Sequence, residues 1–277
     1  MPALREFETI LVEVKDHVCW VTLNRPDRLN AFSILMWHEM RTLGRELADD
    51  PELRALVVIG NGRAFSSGID TSVFTAPSGD GIESGDDAGT RHPDPAIDGI
   101  LRAQDSYSWL STARYPTIAA VRGYAFGAGL QLALACDIRV FARGTQVGLL
   151  EHKYGILPDL GGTQRLPRVV GAGKAKELIW TAARIDAEES YRIGLCERLV
   201  DDADLETDVS ALAATIAAQP PLAVQGAKRA AEAAGRLPIA EGLVFEAEQQ
   251  KICLQSDDMR EAISAFVEQR VPDYKGK

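Results

Sequence analysis

The chain has 277 residues, enough to bury a sizeable core as one domain with an appendage. A net charge of −10 with no run of consecutive basic residues argues against a nucleic-acid partner or an anionic membrane surface. The longest apolar runs fall far short of a membrane span, and the N-terminal MPALREFETILVEV lacks the basic-then-apolar order of a secretory signal. The expectation is therefore a soluble, cytoplasmic protein.

FETILVEVK (7–15) and VCWVTLN (18–24) alternate apolar and polar residues around an Asp16-His17 break and predict a hairpin. RPDRLNAF follows as a loop. From Ser33, an N-cap residue, Leu35, Met36, Met40, Leu43 and Leu47 recur at helical spacing. LRALVVIG, YPTIAAVRG and CDIRVFA read as buried strands, and near-continuous apolar strands alternating with helices predict an α/β core. Residues 78–98 carry six acids, one arginine and many Gly and Pro residues, so a mobile surface insertion or lid is expected there. Residues 74–110, the expected wall of a ligand pocket, show no readable pattern. Beyond about residue 203 the periodicity is purely helical. In DDMREAISAFVEQR, Met259, Ile263 and Phe266 form an apolar stripe that a monomer would leave partly exposed. Cys19, Cys136, Cys196 and Cys253 have no metal-type spacing and read as reduced core or near-core thiols. His17, His38, His92 and His152 likewise form no metal motif, so no metal site is expected.

Two strands end in small-residue turns, IGNGRAFSSGID (59–70) and VRGYAFGAGLQ (121–131). Small residues let backbone approach a ligand closely, and a helix N-terminus offers unpaired N–H donors; two such amides converging on one oxygen make an oxyanion hole. Taken singly, each turn reads first as plain strand-to-helix punctuation. The spacing of the second is not the dinucleotide G-x-G-x-x-G, and there is neither a Walker A lysine nor a G-x-S-x-G elbow.

LNRPDRLNAF, GRAFSSGID, AAVRGYAFGAGLQLALACDIRV and GILPDLGGTQRLPRVVG occur in the order and spacing of the crotonase superfamily, the enoyl-CoA hydratase/isomerase family. The resemblance runs from about residue 7 to the terminal AFVEQRVPDYKGK. It implies an α/β spiral of ββα units over 1–202 and a helical C-terminal trimerisation region over 203–277, assembled as a homotrimer or a dimer of trimers. It further implies an acyl-CoA thioester substrate, with coenzyme A arriving as part of that substrate and no separate cofactor. On matching positions the oxyanion donors are the backbone N–H groups of Ile69 and Ala128, the latter in place of the family's usual glycine. Arg28 and the backbone of Ala31 are the candidates for CoA, together with Phe266 from a neighbouring subunit. Solvated loop charge for Arg28 and simple helix packing for Phe266 stay open beside these roles.

The hydratases of this family use two glutamates. The first position falls on Gln131, the second on Glu151, and Asp159 matches an aspartate that resembles the one in the dienoyl-CoA isomerase branch. Water addition to a 2-enoyl thioester needs a base for the water and an acid for the α-carbon. An amide orients water but moves no proton, and general acid–base help is worth ~10²–10⁴ in rate. A double-bond shift needs only one carboxylate to take a proton at one carbon and return it at another. The expected activity is therefore a 1,3- or 1,5-proton shift by a double-bond isomerase, with Glu151 as main base and Asp159 as second acid or its tuner. The rivals are a hydratase in which Asp159 replaces the missing glutamate and a non-catalytic acyl-CoA binder. On this reading Gln131→Glu raises hydration. Glu151 as an exposed acid, Asp159 as a turn residue and Gln131 as a backbone-satisfied amide stay open.

Overall fold

A computed structural model describes residues 5–74 and 91–277. The chain runs β1 (Ile10–Lys15), β2 (Val18–Leu23), α1 (Ile34–Leu47), β3 (Ala55–Gly60), α2 (Pro95–Thr112), β4 (Thr117–Val121), β5 (Tyr124–Phe126), α3 (Ala128–Ala135), β6 (Ile138–Ala142) and β7 (Gln146–Gly148). It continues through α4 (Gly162–Val170), α5 (Ala172–Thr181), β8 (Ile185–Asp186), α6 (Ala187–Arg192), β9 (Arg198–Val200), α7 (Leu205–Ala217), α8 (Pro221–Ala234), α9 (Ile239–Gln255) and α10 (Asp257–Glu268).

β1 and β2 form the expected hairpin, paired antiparallel from Ile10 opposite Leu23 to Lys15 opposite Val18. Asp16 and His17 both take positive φ, as a two-residue turn matched to strand twist requires. From β2 the sheet continues in parallel through β3, β4, β6 and β9. Every residue of β3 is buried, because both sheet faces are covered: Leu56 and Val58 pack into a core with α1, α2 and α3, while Ala55, Val57 and Ile59 pack against Leu205, Val209 and Ala213 of α7. The first helix of the C-terminal region thus closes the second face of the sheet. α1 starts at Ser33, whose hydroxyl accepts from the Met36 amide. Leu35, read as part of its apolar stripe, is instead exposed, since it falls about 100° round the helix from Met36, outside the face that Met36, Met40 and Leu43 share.

A second, three-stranded sheet in the order β5-β7-β8 runs through the glycine-rich segment that the sequence suggested was all turn. Each strand has two or three residues, too short for a periodic signal. Single bridges Ser66–Ala125 and Phe32–Ile69 tie the turns after β2 and β3 beside it. Of the expected insertion, 78–90 overlaps residues outside the described ones. Residues 95–98, however, open α2: Asp94 accepts from the Ala96 and Ile97 amides, and Pro95 holds the first helical position. The Asp-Pro pair is a helix start that its acidic, Pro-rich surroundings obscure.

Candidate active site

The Ser66–Ala125 bridge sets the two glycine-rich segments side by side, with Ser66 N donating to Tyr124 O (2.9 Å) and Phe126 N to Ser66 O (3.0 Å). Phe32 then takes both neighbours of Ile69: its N–H donates to Gly68 O, and its carbonyl accepts from Asp70 N. In a parallel bridge of this form the intervening N–H faces the opposite way. The Ile69 amide has no acceptor among the described residues. The same holds for Ala128, the first residue of α3, which is a short helix with all eight residues buried. The two segments meet closely: a Cβ placed on Gly68 would lie 3.9 Å from the Ala128 nitrogen, and one placed on Gly129 would lie 2.6 Å from Ser66 O. Two unpaired amides, one of them at a helix N-terminus, suit an anionic oxygen.

Gln131, one turn into α3, and Glu151, after β7, are buried and bonded to each other, with Gln131 Nε2 donating to Glu151 Oε1 at 2.7 Å. Gly162 N, at the start of α4, donates to Gln131 Oε1 at 2.9 Å. Glu151 Oε2 is buried and has no partner among the described residues. Burial pushes the Glu151 carboxyl up to about 7; its own amide and Gln131 oppose the shift, and Asp159 adds to it. A carboxyl that titrates near neutral pH can both take and return a proton there. Asp159 is half-buried, with its carboxyl raised above the usual range by burial. Its backbone carbonyl accepts from Gln104 Nε2 of α2 at 2.6 Å.

The structure therefore brings Ile69, Ala128, Gln131, Glu151 and Asp159 together. Arg28 lies on the 25–32 loop, exposed, and its guanidinium has no partner among the described residues. Its neighbour Arg25 is instead engaged, paired with Asp70 at 2.8 Å and donating to the Ala31 carbonyl. The Ala31 amide donates to Arg28 O at 3.0 Å. Phe266 stands apart on α10, 85% exposed. His152 is exposed, and no group of His, Cys, Asp and Glu among the described residues could hold a metal. Sequence reasoning missed Gln104 and Tyr107, which sit on the unread helix α2. Tyr107 is fully buried, and its phenol, which feels both Glu151 and Asp159, is held well above its ordinary range chiefly by burial. It also missed the function of Gly162, although LGG was among the quoted motifs.

Residues 13–277 match the family model described as enoyl-CoA hydratase/isomerase. The chain is 36% identical over 270 residues to the probable enoyl-CoA hydratase echA8 of Mycobacterium bovis, covering 97% of this chain and 98% of that one. It is 35% identical over 266 residues to the short-chain-enoyl-CoA hydratase of Clostridium acetobutylicum, covering 96% and 97%. A Thermobifida fusca YX protein crystallised in complex with CoA aligns with a TM-score of 0.80 at 38% identity, over 89% of this chain and 93% of that one. Fold and matches together define an α/β enzyme of the crotonase type. The chain belongs to the enoyl-CoA hydratase/isomerase family. No helix among the described residues is long and apolar enough to cross a membrane.

Proposed function

We propose that the protein is an acyl-CoA double-bond isomerase, with Glu151 as the group that moves the proton. One observation carries this reading: the residue facing Glu151 is an amide, so the described site has one deeply buried carboxylate where water addition calls for two. The thioester oxygen accepts from the amides of Ile69 and Ala128. Glu151 Oε2 takes a proton from the α-carbon of a 3-enoyl thioester, and the electron pair of that C–H bond passes to the thioester oxygen as the dienolate forms. When the dienolate collapses, the γ-carbon takes the proton back from Glu151, and the double bond moves from C3–C4 to C2–C3. With a 3,5-dienoyl chain, Glu151 takes the α-proton and Asp159, protonated at the start, gives its own proton to the more distant carbon. Glu151 then releases its proton and Asp159 takes one up from solvent, which resets the site. Each oxyanion donor is worth ~10²–10³ in rate.

Arg28 and the backbone of Ala31 receive the CoA moiety, assisted by Phe266 of a neighbouring copy. The free guanidinium and the exposed ring support these roles. Residues 203–277 serve as the trimerisation region, with α7 shared with the core. The assembly is a homotrimer or a dimer of trimers, supported by the exposed apolar residues of α9 and α10. Cys19, Cys136 and Cys196 are buried, unpaired thiols, which fits a cytoplasmic protein.

A second reading, enoyl-CoA hydratase with Asp159 as the second acid–base group, is favoured by the names of the relatives. Incubation with 2-enoyl-, 3-enoyl- and 3,5-dienoyl-CoA followed by mass spectrometry separates the two. Isomerisation moves the double bond at constant mass, whereas hydration adds one water. The isomerase reading expects turnover of the 3-enoyl or 3,5-dienoyl substrate to outpace water addition to the 2-enoyl substrate, and the reverse order overturns it.

A further inference from the structure

We infer that Gln131 is a positioning residue: its amide holds one oxygen of Glu151 and leaves the other free to take the α-proton. The inference rests on the reading of Glu151 as the base. Gly162 N fixes the orientation of the amide, because a backbone N–H requires an oxygen opposite it and Gln131 Oε1 lies 2.9 Å away. The NH₂ end is thereby turned to Glu151 Oε1 at 2.7 Å. The backbone leaves room for this pair and little else. A Cβ on Gly127 would come within 3.2 Å of Glu151 Oε1, and one on Gly162 within 3.0 Å of Gln131 Oε1. The amide is anchored in turn by the first turn of α3, where Gln131 N donates to Gly127 O at 3.0 Å.

Gln131 from α3 bonds Glu151, Asp159 from the 158–162 segment acts on it through its charge, and Tyr107 from α2 feels the charge of both acids. The Asp159 carboxylate disfavours the ionised form of Glu151. The Tyr107 phenol stays neutral and adds no charge. Gln131 is the side chain among them that favours ionisation, by donating to the carboxylate. A glutamate at 131 would accept from Gly162 N with one oxygen and set the other against Glu151 Oε1. Two carboxylates at that separation share a proton, as like charges in one site must. Gln131→Glu is thus expected to hinder the base, which reverses the expectation drawn from sequence alone.

The test is the pH dependence of kcat/KM for wild type, Gln131→Met and Gln131→Glu, on whichever of the 2-enoyl, 3-enoyl and 3,5-dienoyl substrates the wild type turns over. Acyl-CoA affinity is measured alongside by calorimetry. In Gln131→Met the ascending limb should move up by about one pH unit, with activity largely recovered at high pH. In Gln131→Glu it should move further. A purely structural role would instead lower the rate by the same factor at every pH. Limbs that coincide with that of wild type overturn the inference, and if Gln131→Met does not fold, the isosteric Gln131→Glu decides alone. Glu151→Gln keeps the two layers apart. If it retains activity, the base assignment fails; if it is inactive while the Gln131 variants leave the limb unmoved, only the positioning role fails.

Discussion

Helix α3 is almost wholly apolar and α9 interleaves apolar residues with Glu, Gln and Lys; all eight residues of α3 are buried and none of the seventeen of α9 is. α3 packs against β5, α2 and α4, and all its residues are buried away from water. Its unpaired N-terminal amide is then among the few polar outlets of that region, and Gln131 and Glu151 lie beside it. α9 packs on α8 and leaves Ile239, Leu243, Val244 and Leu254 in solvent, and α10 does the same with Ile263, Phe266 and Val267. An exposed apolar surface of this kind is what the proposed contact with a further copy of the chain would cover. On the proposed reading the first region controls a proton and the second meets a neighbour.

The sharpest way to break the first half of this comparison is Glu151→Gln. It should lower turnover by ~10²–10⁴, the value of a general acid–base group, while calorimetric affinity for an acyl-CoA stays close to wild type because the oxyanion donors are backbone. Gly129→Ala attacks the same region through packing. Its methyl would meet Ser66 O at 2.6 Å and push α3 off the turn that follows β3. Turnover should drop by ~10² as the Ala128 amide moves, with ~1–3 kcal/mol of stability lost in denaturant unfolding. If Gly129→Ala is as active as wild type, close contact between the two turns is not what places the donor.

The pH profile adds a tenfold effect per unit. The base must be ionised, and burial raises Glu151 to about 7. The rate should therefore climb with pH through about 7 and fall about tenfold per unit below it. A profile flat from pH 5 to 8 would show that Glu151 is not the titrating base. For the second region, Leu243→Asp puts a charge on the exposed face of α9. Sedimentation at micromolar concentration should show a trimer or hexamer for wild type and a shift to monomer for the variant, and a monomeric wild type would contradict the role given to that face. The smallest effect is expected at Arg28. Exposed ion pairs are worth about 1 kcal/mol or less, so Arg28→Ala should weaken acyl-CoA binding by no more than about fivefold, and less at high salt.

The parts of the molecule legible in sequence were those with a strong local signal. The β1–β2 hairpin, the Ser33 cap, the strands of β3, β4 and β6 and the two glycine-rich turns follow from alternation, capping, continuous apolar runs and small residues respectively. β5, β7 and β8 are too short to carry a period, and α2 is masked at its start by acids and prolines that read as loop. The exposure of Leu35 shows that apolar identity alone does not assign a helical face. Within the site, Glu151 and Gln131 could be named from the motifs, but not their mutual bond. That contact joins residues from three separate segments, α3, the turn after β7 and the start of α4, and only the folded chain brings Gly162 N to the amide that orients it.

The central claim, that one buried carboxylate oxygen carries the proton out and back, is tested most directly by isomerising a 3-enoyl-CoA in D₂O and counting deuterium in the product. Glu151 Oε2 is buried and bonded to no described group, so the proton it takes should return to the substrate before solvent replaces it. The account predicts well under one deuterium at the γ-carbon per turnover, with the label rising when Gln131 is replaced by Met. A full deuterium per turnover in the wild type would mean that the proton comes from solvent or from a second group, and would contradict it.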